Sequence, residues 1–226
     1  MIKCITFDLD DTLWKIEPVI TRAEVEFQKW LEKNYPMVAE QFSIEKLRNL
    51  SKQTSLENSK IKHDLSKVRI LAYEHIRSLF GLPANMPGDA FNYFMKYRNT
   101  VQLFDGVKEI LEILSNDYLL GTITNGNASL EKIGIKNFFD FEIKAADVGF
   151  MKPSEEIFQK AIKEANCKPS EIVHVGDSYE KDIIGAMSVN MNYIWLNHSN
   201  ENKDDIKVEQ TIKSFSEILQ VLKKLR

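Results

Sequence analysis

The most chemically loaded stretch of the chain is FDLDDTL, where Asp8, Asp10 and Asp11 follow a short apolar run. Like charges held this close repel, and one of the carboxyls is pushed toward its protonated form. Asp8 and Asp10 lie on the same side of an extended backbone, whereas Asp11 faces away and reads as a local hydrogen-bonding partner of the next turn. A second acidic loop, GDSYEKD, carries Asp177 and Asp182. Between the two loops fall Thr124, Asn125 and Gly126 in GTITNGN, and Lys152 ahead of Pro153. Brought together, so many acids would be costly without a counter-charge, and a divalent cation is the natural resolution. Donors that are all oxygen, with no His or Cys, suit Mg²⁺. A metal joined to phosphate oxygens also neutralises an incoming dianion. Thr124, the amides near Asn125 and Gly126, and Lys152 can hold the remaining oxygens. Asp8 is then a nucleophile on phosphorus. Asp10 is placed to protonate the leaving oxygen and later to activate water.

These side chains meet only if the fold brings them together. Residues 3–7, 119–124, 141–145, 171–175 and 192–196 are apolar, partly β-branched runs that read as short buried strands. Amphipathic helical patterns separate the later ones, with Val107, Ile110, Leu111 and Leu114 on one face and Ile157, Phe158, Ala161 and Ile162 on another. SFSEILQVLKKL opens with a capping box, Ser214 to Glu217, and ends in lysines that suit a helix C-terminus. Strands alternating with helices predict an α/β fold built on an open parallel sheet. In such a sheet ligands bind beyond the carboxyl ends of the strands, and that is where Asp8, Thr124 and Asp177 fall.

Residues 16–98 break the alternation and read as an inserted helical domain, leaving residues 1–15 and 99–226 as the α/β core. TRAEVEFQKWLEKNYP shows a capping box at Thr21 and Glu24 and stops at Pro36. DLSKVRILAYEHIRSLFG closes at Gly81, and FNYFMKYR brings Phe91, Phe94, Met95 and Arg98 to one side. The aromatic stripe Phe91, Phe94 and Tyr97 is most simply this domain's own core.

Composition narrows the class. The chain has 226 residues, 43% of them hydrophobic, enough for one large domain or two smaller ones. A net charge of −3 offers no basic excess for a nucleic-acid backbone or an anionic membrane. The two cysteines, Cys4 and Cys167, lie far apart without metal-ligand spacing and suit a reducing cytosol. No apolar run of about 18 residues is present, and Asp8 interrupts the first apolar segment too early for a signal peptide. The expectation is a cytoplasmic protein acting on a small molecule, with oligomeric state open.

FDLDDTL, TNG, KP and GDSYEKD, in this order, resemble the four motifs of the haloacid dehalogenase superfamily, over essentially the whole chain. The helical insertion after the first motif resembles the superfamily's cap-bearing branch. The resemblance implies a Rossmann-like core and a Mg²⁺-dependent phosphatase working through an aspartyl-phosphate. It implies Asp8 as nucleophile, Asp10 as general acid/base, and Asp8, the Asp10 carbonyl and Asp177 as metal ligands. Thr124 and Lys152 would hold phosphate, Asp182 would support the metal's surroundings and Lys152, and Thr12 would fix the first loop. ITFDLDDTLWKIEPVITRAE, TITNGNA and KHDLSKVRILA are also similar to bacterial phosphatases of this superfamily that act on flavin mononucleotide, and N-acylneuraminate-9-phosphatases share much of the pattern.

Blander readings stand beside these. Asp8 and Asp10 could form an Asp-rich turn, Asn125-Gly126 a strand-to-helix turn, and Asp177, Ser178 and Asp182 helix caps. His174 reads as a packed residue, Trp14 as packing or a substrate-stacking surface, and Arg69 as a substrate or salt-bridge contact. Rival functions are a haloacid dehalogenase or phosphomutase of the same superfamily, or a receiver-like signalling protein with a phosphorylated Asp. Asp10 argues against dehalogenation, because a halide leaving group needs no proton.

Overall fold

A computed structural model describes residues 1–198, 203 and 210–225. The chain divides into two compact units, one of Met1–Lys15, Gln102–Gly126 and Gly134–Arg226, the other of Ile16–Val101 and Asn127–Ile133.

The first unit is built on strands β1 (Cys4–Phe7), β2 (Leu119–Thr124), β3 (Phe141–Lys144), β4 (Ile172–Gly176), β5 (Asn192–Leu196) and β6 (Thr211–Ile212). They form a parallel sheet in the order β3-β2-β1-β4-β5-β6. Parallel strands covered on both faces favour continuous apolar runs over alternating ones, and CITF and IVHVG are buried throughout. β6 is absent from the sequence expectation because its two residues carry no pattern; they join the sheet beside Trp195 and Leu196. Phe7 pairs with Thr122 on one side and Val175 on the other. That register brings the ends of β1, β2 and β4 out together.

The second unit is helical: α1 (Ile16–Asn34), α2 (Pro36–Gln41), α3 (Ile44–Glu57), α4 (Leu65–Phe80) and α5 (Met86–Arg98). Phe27, Leu31, Tyr73, Ile76 and Phe94 form its buried centre, with Phe91 and Tyr97 at the margin. α1 starts well before Thr21, so the expected capping box does not form. Thr21 lies inside the helix and bonds to Glu17, and Pro18 is tolerated because the first turn needs no donor there. α4 is capped by Asp64, which accepts from the Lys67 amide, and ends at Gly81, whose φ of 62° favours glycine. The short helix α7 (Leu130–Ile133) belongs to this unit.

Helices α6 (Val107–Asp117), α8 (Ala145–Val148), α9 (Glu155–Ala165), α10 (Ile184–Ser188) and α11 (Ile218–Lys224) complete the first unit. Ile157, Phe158 and Ala161 of α9 pack with Ile123, Ile143 and Ile172 of the sheet. Ser214 and Glu217 form the expected capping box ahead of α11. Among the described residues no helix is long and apolar enough to cross a membrane.

Candidate active site

Asp8 is the first residue beyond β1, and its amide donates to Val175 O of β4 at 2.9 Å. That bond ties the acid to the sheet and holds it 8% exposed. Lys152 is 4% exposed. Its Nζ donates to Asp8 Oδ1 at 2.6 Å and to Asp182 Oδ1 at 2.5 Å, joining residues from distant parts of the sequence. Its loop is fixed from β2: the Lys152 amide donates to Asn125 Oδ1 at 2.7 Å, and Asn125 Nδ2 donates back to Lys152 O at 3.0 Å. Asn125 therefore holds the lysine loop with both side-chain atoms.

Asp182 comes from the turn after β4. The segment Tyr179–Ile183 is a π-helical turn, with Asp182 and Ile183 amides both directed at Ser178 O. Such turns recur at functional sites. This one swings Asp182 back over the strand end, where its Oδ2 accepts from the Ser178 amide at 3.0 Å. Only glycine permits the approach: a Cβ on Gly176 would stand 2.3 Å from Asp182 Cγ.

Asp8, Asp177 and Asp182 each offer a carboxylate oxygen within 4.8 Å of the others, the spacing of a metal centre. Thr12 Oγ1 lies 3.3 Å from both Asp8 Oδ2 and Asp177 Oδ1, one hydroxyl proton placed between two acids. Burial pushes the Asp8 carboxyl up to about 8, against the pull of Lys152. Burial, then Asp182 and Asp11, lift Asp177 to about 6. Asp182 goes the other way, because Lys152 and His174 outweigh its burial and hold it well below the carboxylate range. Burial alone would lower Lys152, but Asp182 and Asp8 raise it. The site is thus short of positive charge at Asp8 and Asp177, where a hard cation fits the all-oxygen donors. Asp182, with both oxygens engaged, belongs to the lysine.

Two residues join the site against expectation. His174 is fully buried, and its Nε2 lies 3.2 Å from Asp182 Oδ1 while Nδ1 lies 2.9 Å from Thr6 Oγ1. Reading it as plain packing overlooked that a wholly buried imidazole must find partners for both nitrogens. Trp14 has no exposed surface for stacking on a substrate. Its Nε1 donates to Asp10 Oδ1 at 2.9 Å, which holds the carboxyl that the sequence marks as a proton carrier. Thr124 Oγ1 accepts from the Gly126 amide at 2.9 Å, so the Thr124 proton stays available while the Gly126 amide is already used. Asp11 does not continue an extended strand as expected: its φ of 61° turns the backbone, its amide donates to Trp14 O at 2.8 Å, and its carbonyl lies 2.8 Å from the distant His198 Nε2.

Trp14→Phe removes the donor to Asp10 and is expected to lower kcat by roughly tenfold to a hundredfold with KM little changed. In an Asp10→Asn background the same change adds nothing, because the two residues act as one unit. Equal losses in both backgrounds would mean that Trp14 acts only through packing.

A protein-family profile described as haloacid dehalogenase-like hydrolase matches residues 5–196. The 5-amino-6-(5-phospho-D-ribitylamino)uracil phosphatase YigB of Escherichia coli is 32% identical over 203 residues, spanning 88% of this chain and 85% of that protein. A glyceraldehyde 3-phosphate phosphatase of Methanothermobacter thermautotrophicus is 26% identical, spanning 97% of this chain and all of that one. Among solved structures, a 2-haloacid dehalogenase from Pseudomonas syringae superposes with a TM-score of 0.93 at 34% identity, covering 100% of both chains.

Proposed function

Because the chain belongs to the haloacid dehalogenase-like hydrolase family, we propose that it is a Mg²⁺-dependent phosphatase of small phosphorylated metabolites. The observation that carries this reading is Lys152 bridging Asp8 and Asp182, with Asp177 beside them at the strand ends. Asp8, the carbonyl of Asp10 and Asp177 would hold the cation. When bound, Mg²⁺ supplies a Lewis acid that offsets the charge on phosphate oxygens.

In this reading Asp8 attacks phosphorus while the bond to the ester oxygen breaks, and Asp10 gives that oxygen its proton. Asp10, now ionised, takes a proton from water, whose oxygen attacks the aspartyl-phosphate. Inorganic phosphate leaves and the Asp8 carboxylate is restored. Lys152 and the Thr124 hydroxyl bind oxygens of the transferring group. Thr12 steadies the two acids it touches, and Asp182 with His174 keeps Lys152 in place.

For the substrate we propose a phosphomonoester on a ribityl-type chain, with flavin mononucleotide as the first candidate. YigB, similar along most of its length, is named for a phosphoribitylamino substrate. Dehalogenation is the second reading, favoured by the likeness to the Pseudomonas syringae protein. Against it stand Asp10, since a halide leaves without a proton, and a cation site that such a displacement does not require. The test is product release with and without Mg²⁺ from flavin mononucleotide, 5-amino-6-(5-phospho-D-ribitylamino)uracil, glyceraldehyde 3-phosphate, pyrimidine 5′-nucleotides and 2-chloropropionate. Mg²⁺-dependent phosphate release is the expected result; chloride release without phosphate release would favour the second reading.

The raised acids also predict a pH signature. A carboxyl whose folded pKa exceeds its unfolded value of about 4 stabilises the fold fully below that value and loses the contribution as pH rises. For Asp177 and Asp8 the loss runs up through about 6 and about 8. Asp182 is depressed, so its contribution is lost only in acid below that window. His174 is also depressed, by burial, and favours the fold as pH rises past about 6.5. Metal-free protein is therefore expected to lose more Tm between pH 5.5 and 8.5 than Asp8→Asn does, with Mg²⁺ restoring most of the difference; buffers of about these values suffice. Parallel Tm profiles for the two proteins would contradict the assignment of Asp8 as a buried, charge-starved acid.

A further inference from the structure

Within the helical unit, α1, α3, α4 and α5 surround a cavity of about 160 Å³. A cavity of about 150 Å³ admits a benzene ring. Phe27, Tyr73 and Phe94 give it aromatic walls, and Glu24, Arg48 and Arg69 give it charge. None of these residues belongs to the strand-end site.

Glu24 and Arg48 satisfy one another, with Arg48 Nε donating to Glu24 Oε1 at 2.8 Å. Arg69 has no such partner. Its guanidinium carbon sits 3.7 Å from the centre of the Phe94 ring, and among the described residues no carboxylate lies within ion-pair distance of it. A ring face attracts the cation but accepts none of its five N–H groups in ordinary hydrogen-bond geometry. Tyr73 is 2% exposed, and its hydroxyl has no hydrogen-bond partner. Burial raises the Tyr73 pKa while the Arg69 charge, and the reach of its N–H groups toward the hydroxyl, pull it back, which places the hydroxyl and the guanidinium side by side. A buried hydroxyl whose proton has no acceptor, next to a guanidinium without a carboxylate partner, calls for an anionic oxygen.

We propose that this cavity binds a small organic carboxylate, its oxygens held by Arg69 and Tyr73 and its flat apolar body against Phe27 and Phe94. Phosphate suits the cavity poorly, because it has no apolar part to meet the aromatic walls and its second charge faces Glu24. The carboxylate belongs to a free small molecule, since every residue that lines the cavity lies in the helical unit. The proposal does not depend on the phosphatase reading, because its primary readout is binding.

The test is calorimetric titration of the full-length protein with benzoate, and with benzamide as the neutral isostere. Benzoate is expected to bind saturably and benzamide about tenfold more weakly or worse. Arg69→Gln is expected to weaken benzoate by about tenfold or more and to leave benzamide nearly unchanged, with a several-fold loss in Tyr73→Phe. Failure of benzoate to bind, or equal benzoate affinity in wild type and both variants, would overturn the site.

Discussion

Asp8→Asn is expected to leave the protein folded and to lower phosphate release by roughly 10³-fold or more. The amide keeps the shape of the carboxyl but has no electron pair able to displace an ester oxygen from phosphorus. Its effect on the fold runs in the opposite direction. The native acid is buried and pushed up to about 8, so it resists ionisation where it stands, and a neutral amide removes that penalty. Metal-free Asp8→Asn should therefore melt no lower than wild type near neutral pH, even though its turnover is lost. Asp10→Asn should cost about 10²- to 10⁴-fold, the usual contribution of a positioned acid and base. Steady-state kinetics with parallel melting curves check both. Near-normal turnover in Asp8→Asn would remove the nucleophile from the scheme.

Lys152→Met is expected to damage both stability and turnover. The ammonium is nearly enclosed, and it donates to Asp8 and Asp182 at 2.6 and 2.5 Å. Removing it strands the ionised Asp182 beside the buried Asp8 without a cation, and breaking a buried pair from one side costs about 3–5 kcal/mol. Adding Asp182→Asn should recover part of the lost Tm, because the stranded charge is then neutral, but it should recover none of the activity. Chemical denaturation of metal-free protein measures the first effect and phosphate release the second. A Lys152→Met protein as stable as wild type would show that the bridge contributes nothing to the fold.

Much of this was legible in the sequence. Four of the six strands are apolar runs closed by the chemistry-bearing loops, and the order of those loops along the sequence marks the sheet's active end. Asp8, Lys152, Asp177 and Asp182 meet as their spacing along alternating strands and helices requires. β6 was invisible because two residues cannot display a period, and the start of α1 was misplaced because Thr21 and Glu24 imitate a cap inside a continuing helix. His174 and Trp14 were missed for another reason. Each sits in an apolar setting, so pattern alone reads it as core, and its role lies in one polar atom aimed at an acid. Gly176 is similar: its sequence neighbours announce a turn, but only the fold shows that Asp182 occupies the space a side chain would need.

The central claim is a covalent bond between Asp8 and phosphorus during turnover. Reaction mixtures with Mg²⁺ and flavin mononucleotide, or the best phosphoester from the panel, can be acid-quenched, reduced with borohydride and sequenced by mass spectrometry. Reduction converts an aspartyl-phosphate to homoserine, and homoserine is predicted at position 8, in a substrate-dependent manner. Homoserine at position 10 or 177 in place of 8 would contradict the account.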